Sequence, residues 1–235
     1  NYWGEQVPAP QAYVLQKTIR GEDLGIGKFD GLREVFYRND KIYLLDSGNN
    51  RIVILNRKFK THKIIKQFKN NGKLDNFKNP QGLFVTKTGN IYIADTNNAR
   101  IVELNASGKL KRIIGTPKTE IKGVFSENFT YRPLKLGVDL TGRLYVIAKD
   151  IYEGLIVFNN NGNFDGFVGA PKVKPNPIDL FWRTFGTRQQ RERQSLFLPT
   201  EFNNVDVDKE GFIYAVEMGE AKTETIKRLN PSGDD

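Results

Sequence analysis

The fold is decided by a stretch that the chain uses twice, KIYLLDSGNNRIVILNRKFK at residues 41–60 and NIYIADTNNARIVELNASGK at residues 90–109. Two weaker copies follow, RLYVIAKDIYEGLIVFNNNGN at residues 143–163 and FIYAVEMGEAKTETIKRLNPSG at residues 212–233. A tyrosine is the third residue of every copy. Self-similarity with a period of roughly 20–50 residues is the signature of a repeat architecture. The sequence therefore predicts one structural unit that recurs along the chain.

Each unit divides into four predicted strands, as the second copy illustrates. It contains three apolar stretches, GLFVT, IYIA and ARIVEL, and one more polar stretch, KLKRIIG. Turns that contain Gly or Asn separate these stretches, which is the pattern of short antiparallel strands. Four such strands in a unit of ~45 residues form one blade of a β-propeller. We therefore predict an all-β chain with about four blades, at residues 29–70, 79–116, 132–171 and 201–235. Their first strands are expected near 32–37, 82–86, 134–139 and 203–208.

The gap before the last copy contains an insertion at residues 172–198, KVKPNPIDLFWRTFGTRQQRERQSLFL. Asn176 and Pro177 are typical of a helix start, and the apolar residues after them recur at helical spacing, so we expect a small helical insertion. Its basic and aromatic side chains suit an anionic surface or a protein partner, or else the aromatics pack the helix onto the propeller. The residues of this patch are Trp182, Arg183, Arg188, Arg191 and Arg193.

The second unit also resembles a known repeat. The string NPQGLFV…TGNIYIADTNNARIVEL is similar to the NHL repeat, with its Pro-x-Gly start, Gly turn, apolar strand, Asp, Asn-rich turn and Arg-Ile. The third and fourth copies depart from it, with Ala148 and Glu217 in place of the Asp. PIDLFW, LPTEFNNVDVD and GFIYAV resemble exported NHL-repeat proteins of Gram-positive bacteria. That resemblance implies an extracellular or cell-envelope location and a link to solute transport, with the cytoplasm as the alternative.

The segment before the first blade bears on ring closure. YVLQKTIRG, at residues 13–21, is predicted to be an outer strand that belongs to a last blade, because propellers close by pairing the first blade with the last. Proteins that resemble this repeat form six-bladed rings more often than four-bladed ones. Six blades of ~45 residues need roughly 270 residues, so we expect these blades to be part of a larger ring.

Two acidic and two basic residues recur at equal spacing in the first two units. They are Asp46 with Arg51, and Asp95 with Arg100. An Asp at a strand end accepts backbone N–H bonds from the turn that follows, and the Arg five residues later can pair with it. Because a propeller has one channel but a repeat feature in every blade, we interpret these residues as structural rather than as metal ligands.

Candidate binding residues lie where the first strands begin, around the central channel. These positions differ from blade to blade, as a binding rim requires, although polar residues at an exposed rim need no function. They are Arg33, Glu34, Gln81, Arg132, Lys135, Glu201, Asn203 and Asn204.

Composition limits the chemistry. The chain has no Cys and a single His, His62, whereas zinc sites take at least three nitrogen or sulfur ligands, so we predict no zinc chemistry and no cofactor. The net charge of +9 favours an anionic partner, unless the basic residues only solvate strand edges. No stretch reaches the ~18 apolar residues of a membrane span.

Three functions remain open. The first is a non-catalytic binding or scaffold module for a protein or a carbohydrate-like ligand. The second is an RNA-binding domain, which requires the basic residues to collect on one face. The third is a lactonase-like hydrolase with a divalent metal on oxygens such as those of Glu34, Glu201 and Asn203. Because no nucleophile elbow or phosphate-binding loop stands in its required context, the sequence favours binding over catalysis.

Overall fold

The computed structural model of the chain describes residues 13–121, 124–125, 129–169, 202–217 and 226–230. Within these ranges the strands form four successive antiparallel sheets and one two-stranded hairpin. Each sheet runs from its first strand outwards in sequence order. The predicted all-β fold is confirmed, and the four sheets are arranged as the blades of a β-propeller.

The strand bounds are as follows. Blade 1 consists of β1 (Leu32–Arg38), β2 (Lys41–Asp46), β3 (Arg51–Asn56) and β4 (Thr61–Ile65). The hairpin that follows consists of β5 (Gln67–Asn70) and β6 (Lys73–Asn76). Blade 2 consists of β7 (Gly82–Val85), β8 (Ile91–Asp95), β9 (Arg100–Leu104) and β10 (Leu110–Ile114). Blade 3 consists of β11 (Pro133–Val138), β12 (Leu144–Ala148), β13 (Leu155–Phe158) and β14 (Phe164–Val168), and blade 4 of β15 (Phe202–Val207), β16 (Ile213–Glu217) and β17 (Ile226–Leu229).

The hydrophobic core lies between blades rather than within one. Strand residues of blades 1 and 2 share one apolar cluster, those of blades 2 and 3 a second, and those of blades 3 and 4 a third. Phe36 of β1, for example, meets Phe84 of β7 edge-to-face, with 5.0 Å between the ring centroids. Because side chains alternate between the two faces of a strand, each central blade buries both of its faces, which explains the almost wholly apolar strands of blade 2.

Gly82 at the start of β7 allows the first strands of blades 2 and 3 to approach closely. A Cβ atom at this position would lie 2.5 Å from the carbonyl oxygen of Leu134 and 3.0 Å from the Cα of Lys135. These contacts are with backbone, which cannot rotate away. Glycine is therefore required here for the blade spacing and not for its own backbone angles.

The structure corrects the prediction of an outer strand over residues 13–21. Residues 13–20 have no regular structure, and Glu22–Leu24 form a single 3₁₀ turn. Tyr13 and Leu15 are 94% and 81% exposed. An isolated strand leaves its backbone groups to water and gains nothing over a coil. In the described part of the chain β17 pairs only with β16, so residues 13–20 are not paired with the blade they were expected to complete.

The insertion at residues 172–198, with its patch of Trp182, Arg183, Arg188, Arg191 and Arg193, lies outside the described residues. The hairpin β5–β6 was not predicted. No helix within the described ranges has the length and apolar character needed to cross a membrane.

Candidate functional site

The first strands of all four blades begin at the same end of the propeller, here called the upper end. Leu32 pairs with Asp46 and Pro133 pairs with Ala148, so each first strand begins where the second strand of its blade ends. Of the predicted rim residues, seven lie at or beside these strand starts: Arg33, Glu34, Gln81, Arg132, Lys135, Asn203 and Asn204. Glu201 lies outside the described residues.

Lys135 connects two blades that are not neighbours in sequence. Its Nζ donates to Oε2 of Glu34 at 2.6 Å and to the carbonyl oxygen of Arg33 at 2.9 Å. The side chains of Lys135 and Glu34 are 21% and 20% exposed, so the ion pair is partly shielded from water. Three predicted rim residues, from blades 1 and 3, are thereby brought together at the channel mouth.

The other described rim residues make local contacts. The side-chain amide of Gln81 donates to Oδ1 of Asn79 at 2.7 Å, and Arg132 forms an ion pair with Asp150. Asn203 and Asn204 are exposed. The rim is thus polar in every blade, but only the Lys135 contacts span blades among the described rim residues.

Asp46 lies at the centre of a hydrogen-bond cluster at the upper end of blade 1. Its side chain is fully buried; Oδ1 accepts from the backbone N–H of Asp30 at 2.7 Å, and Oδ2 accepts from Arg51 Nε at 2.6 Å and from Asn49 Nδ2 at 3.0 Å. Arg51 also donates to the carbonyl oxygen of Ile26 at 2.8 Å. The cluster ties the chain that enters the blade to the β2–β3 turn.

Asp95 has the same geometry in blade 2. Oδ1 accepts from the backbone N–H of Lys78 at 2.7 Å, and Oδ2 accepts from Arg100 Nε and Asn98 Nδ2 at 2.8 and 2.9 Å. Arg100 in turn forms a bidentate pair with Asp75, at 2.8 Å for each bond. The backbone donor therefore comes from the loop before the first strand, not from the following turn as predicted, because the turn supplies an Asn side-chain amide instead.

A hydroxyl-bearing residue directly after each of these aspartates was missed by the sequence interpretation. Ser47 Oγ donates to the carbonyl oxygen of Pro80, and Thr96 Oγ1 donates to that of Pro133 at 2.6 Å. Both bonds join one blade to the start of the first strand of the next, since Pro80 lies two residues before β7 and Pro133 is the first residue of β11. The signal was present as Asp-Ser and Asp-Thr in the two copies, but its partner is set only by how the blades stack.

A lactonase-like metal site requires several oxygen donors grouped around one divalent ion. Within residues 13–121, 124–125, 129–169, 202–217 and 226–230, no three His, Asp or Glu side chains are grouped so that they could hold an ion. Glu34, one of the three suggested oxygen donors, is engaged by Lys135.

Tyr131, beside the rim, is buried with a hydroxyl that has no hydrogen-bond partner in the described part of the chain, and burial raises its pKa.

Comparisons with known proteins agree with the repeat. The sequence model of the NHL repeat matches residues 77–104, which include the strands β7, β8 and β9. No curated protein sequence matches the chain. The family match therefore rests on blade 2, which has the Pro-x-Gly start in addition to the Asp, the Asn-rich turn and the Arg that it shares with blade 1.

Solved structures extend the likeness to the whole architecture. A virginiamycin B lyase from Staphylococcus aureus, solved with quinupristin, is 14% identical with a TM-score of 0.52 over 85% of this chain and 52% of that one. Hydrazine synthase from Kuenenia stuttgartiensis is 9% identical with a TM-score of 0.56 over 95% and 51%. A β-propeller domain from Myceliophteria thermophila is 8% identical with a TM-score of 0.52 over 87% and 53%.

At such low identity the similarity concerns the fold alone, and the chain spans about half the length of each solved structure. An NHL β-propeller fold is typical of a binding or scaffold module. Taken with the four stacked blades and the repeated Asp–Arg clusters, the comparisons identify the chain as a β-propeller that contains an NHL repeat.

Proposed function

We propose that this chain is a non-catalytic binding module of the bacterial cell envelope that takes a ligand or a partner protein at the upper channel mouth and serves solute transport. The observation that carries the proposal is the ion pair between Lys135 and Glu34, which joins blades 1 and 3 across the mouth. This contact is not part of the repeat. It gives the mouth a fixed arrangement of charges.

Exposed polar side chains at the starts of β1 and β15 offer hydrogen-bonding groups to a ligand. Arg33, Asn203 and Asn204 are exposed. An arginine side chain offers hydrogen-bond donors to a polar ligand, and an asparagine side chain offers both donors and an acceptor. Each blade presents a different side chain, so the mouth is asymmetric. An asymmetric polar rim suits a polar ligand such as a carbohydrate, or a polar protein surface, better than an apolar molecule.

The proposed location rests on a sequence resemblance and on the net charge. The segments PIDLFW, LPTEFNNVDVD and GFIYAV resemble exported NHL-repeat proteins, and a net charge of +9 suits the anionic polymers of a bacterial wall. Fractionation of the native cells, with an antibody against the protein, tests this part separately. Recovery in the soluble cytosolic fraction would contradict it without affecting the site.

The site is tested by photo-crosslinking in native cells. A photoreactive amino acid is placed at Gln81, on the rim, or at Lys87, in the turn at the opposite end of blade 2, as the matched control. We expect a crosslinked envelope product from position 81 that is lost when Lys135→Ala is added, and none from position 87. Equal products from both positions, or crosslinking to RNA, would contradict the proposal.

A binding measurement with purified components complements the crosslinks. Fluorescently labelled protein is applied to immobilised bacterial wall oligosaccharides and, separately, to single-stranded RNA. We expect retention on at least one oligosaccharide class that Lys135→Ala weakens, whereas RNA binding that Lys135→Ala weakens would contradict the proposal. Retention that is identical for the native protein and Lys135→Ala would place carbohydrate binding elsewhere on the surface.

A further inference from the structure

The cross-strand partner of the repeated tyrosine differs among the blades. The pairs are Tyr43–Ile54 in blade 1, Tyr92–Glu103 in blade 2, Tyr145–Val157 in blade 3 and Tyr214–Arg228 in blade 4. Glu103 is 2% exposed. A buried carboxylate costs free energy unless it is well paired, and blades 1 and 3 fold with an aliphatic side chain at this position. The carboxylate in blade 2 is therefore not a requirement of the fold.

Glu103 holds two cations in place. Its Oε1 accepts from Lys111 Nζ at 2.7 Å, and its Oε2 accepts from Arg112 Nε at 2.5 Å. Asn90 Nδ2 lies 3.4 Å from Oε1. Burial alone would raise the pKa of Glu103, but the hydrogen bonds from Lys111 and Tyr92 and the charge of Arg112 outweigh it and lower that pKa. The group is therefore an anion whose two oxygens are already occupied.

These residues line a cleft at the lower end of the propeller, opposite the channel mouth. The cleft has a volume of about 340 Å³ and lies between blades 2 and 3, with Gly142 and Asn160 of blade 3 in its wall. Arg112 Nη1 donates to the carbonyl oxygen of Asn160 at 2.5 Å. The volume is near the lower limit of small-molecule sites, which span roughly 300–1,000 Å³. The cleft therefore has room for a ligand the size of a monosaccharide.

The cleft has charged hydrogen-bond donors to spare. An ammonium has three donors and a guanidinium has five. Lys111, 45% exposed, uses one on Glu103. Arg112, 26% exposed, uses Nε on Glu103 and Nη1 on Asn160, and it also hydrogen-bonds to Tyr92. Two cations face one carboxylate, so the cluster is net positive. These features suit an oxyanion, because charge-assisted N–H donors bind carboxylates and phosphates best.

We propose that this cleft is a second binding site, which takes a small carboxylate or phosphate group between Lys111 and Arg112. It is separate from the channel mouth and does not rest on the function proposed there. In blade 1 the counterparts of Lys111 and Arg112 are His62 and Lys63, by the register of β4 and β10. Lys63 donates to the carbonyl oxygen of Ser107 in the next blade, as Arg112 does to Asn160, but its strand pairs with aliphatic residues. Blade 1 therefore provides an internal control.

The test is titration calorimetry of the whole chain at low ionic strength with three probes, D-glucuronate, inorganic phosphate and D-glucose. We expect one or both anions to bind with a dissociation constant below about 10 mM and glucose not to bind. Binding of glucuronate but not of phosphate identifies a carboxylate ligand. Binding of phosphate but not of glucuronate identifies a phosphoryl ligand. Lys111→Ala weakens the binding at least about tenfold, whereas Lys63→Ala, which removes an equal charge at the same end, leaves it unchanged.

Three outcomes would overturn the proposal. They are the failure of both anions to bind, equal binding of glucose, and an equal loss in Lys63→Ala, which would indicate attraction to surface charge only. A thermal melt of Glu103→Ile, which installs the residue of blade 1, tests the premise. A midpoint no more than about 4 °C below that of the native protein supports it. A larger fall would show that the carboxylate is there for the fold.

Discussion

Lys135 in the third blade donates to Glu34 in the first blade, 101 residues earlier in the chain, with 2.6 Å between Nζ and Oε2. Both side chains are about four-fifths buried. The pair lies at the upper end of the channel, where strands β1 and β11 begin. A contact between residues so far apart in the sequence depends on the angle at which the blades stack. The pair therefore reports on the assembly of the propeller as well as on the candidate site.

The first prediction concerns the coupling of this pair. Glu34→Gln and Lys135→Met each lower the free energy of unfolding by about 1 kcal/mol, because an ion pair partly shielded from water exceeds the ~0.2–1 kcal/mol of exposed pairs only slightly. The double variant loses less than the sum of the two. Denaturant unfolding of the four proteins measures this, and Arg132→Met combined with Glu34→Gln is the control, in which the losses add. Strict additivity in the main cycle would contradict the contact.

The second prediction concerns the repeated Asp–Arg cluster. Asp46→Ala leaves the guanidinium of Arg51, which is 6% exposed, without its carboxylate, and breaking a buried pair costs about 3–5 kcal/mol. Asp40→Asn removes the same charge from a pair with Arg57 in which both side chains are more than two-thirds exposed, and it costs less than about 1 kcal/mol. Chemical denaturation of the two variants gives the comparison, and similar losses would mean that burial does not matter here.

The third prediction concerns the approach of blades 2 and 3. Gly82→Ala inserts a methyl group 2.5 Å from the carbonyl oxygen of Leu134, and overpacking of this kind costs about 1–3 kcal/mol. Gly115→Ala is the control, because nothing lies within 4 Å of a Cβ there, and we expect it to be close to neutral. Thermal melts followed by far-ultraviolet circular dichroism measure both. A Gly82→Ala protein as stable as the native one would show that the first strands can separate without cost.

The fourth prediction concerns acid stability. Hydrogen bonds from Arg100 lower the pKa of Asp75 from 3.8 to about 2, against an opposing effect of burial. A carboxyl whose pKa is lower in the folded than in the unfolded chain stabilises the fold above the unfolded value, and this contribution disappears as the pH falls through the folded value. The native protein should therefore lose about 1–2 kcal/mol from this group between about pH 4 and pH 2.

The variant that isolates this effect is Asp75→Asn, which has no proton to take up. Its free energy of unfolding is lower than that of the native protein at pH 6, and the difference narrows as the pH approaches 2. In an Arg100→Met background the same substitution changes the pH profile little, because the donor that lowers the pKa is absent. Parallel profiles for the native protein and Asp75→Asn would contradict the assignment.

The strand plan of the propeller was readable from sequence because it is encoded locally. Predicted first strands near 32–37, 82–86, 134–139 and 203–208 correspond to strands that begin at Leu32, Gly82, Pro133 and Phe202. Alternating apolar residues and Gly or Asn turns specify a strand within a few residues of chain. The outer strand predicted over residues 13–21 does not form, although its local pattern was that of a strand. A strand at a sheet edge forms only where a partner strand is available.

Site residues were predictable as positions but not as contacts. The seven described rim residues lie at or beside the strand starts, as the alignment of the repeats indicated. The sequence does not show that Lys135 contacts Glu34, or that Asp150 pairs with Arg132. Glu103 passed unnoticed, since a single Glu in a strand is ordinary on an exposed face. Its significance appears only with its burial and with the aliphatic residues at the same register in blades 1 and 3.

The sequence by itself determined the repeat, the antiparallel blades and the Asp–Arg clusters, because each depends on residues close together in the chain and on the period that recurs between copies. The tertiary structure alone decided which blades touch, which polar groups meet at the channel mouth, and where a buried carboxylate gathers two cations. Those relationships depend on how sheets stack through shared apolar clusters. Stacking is set by the sum of many weak packing contacts between distant segments, which no local pattern records.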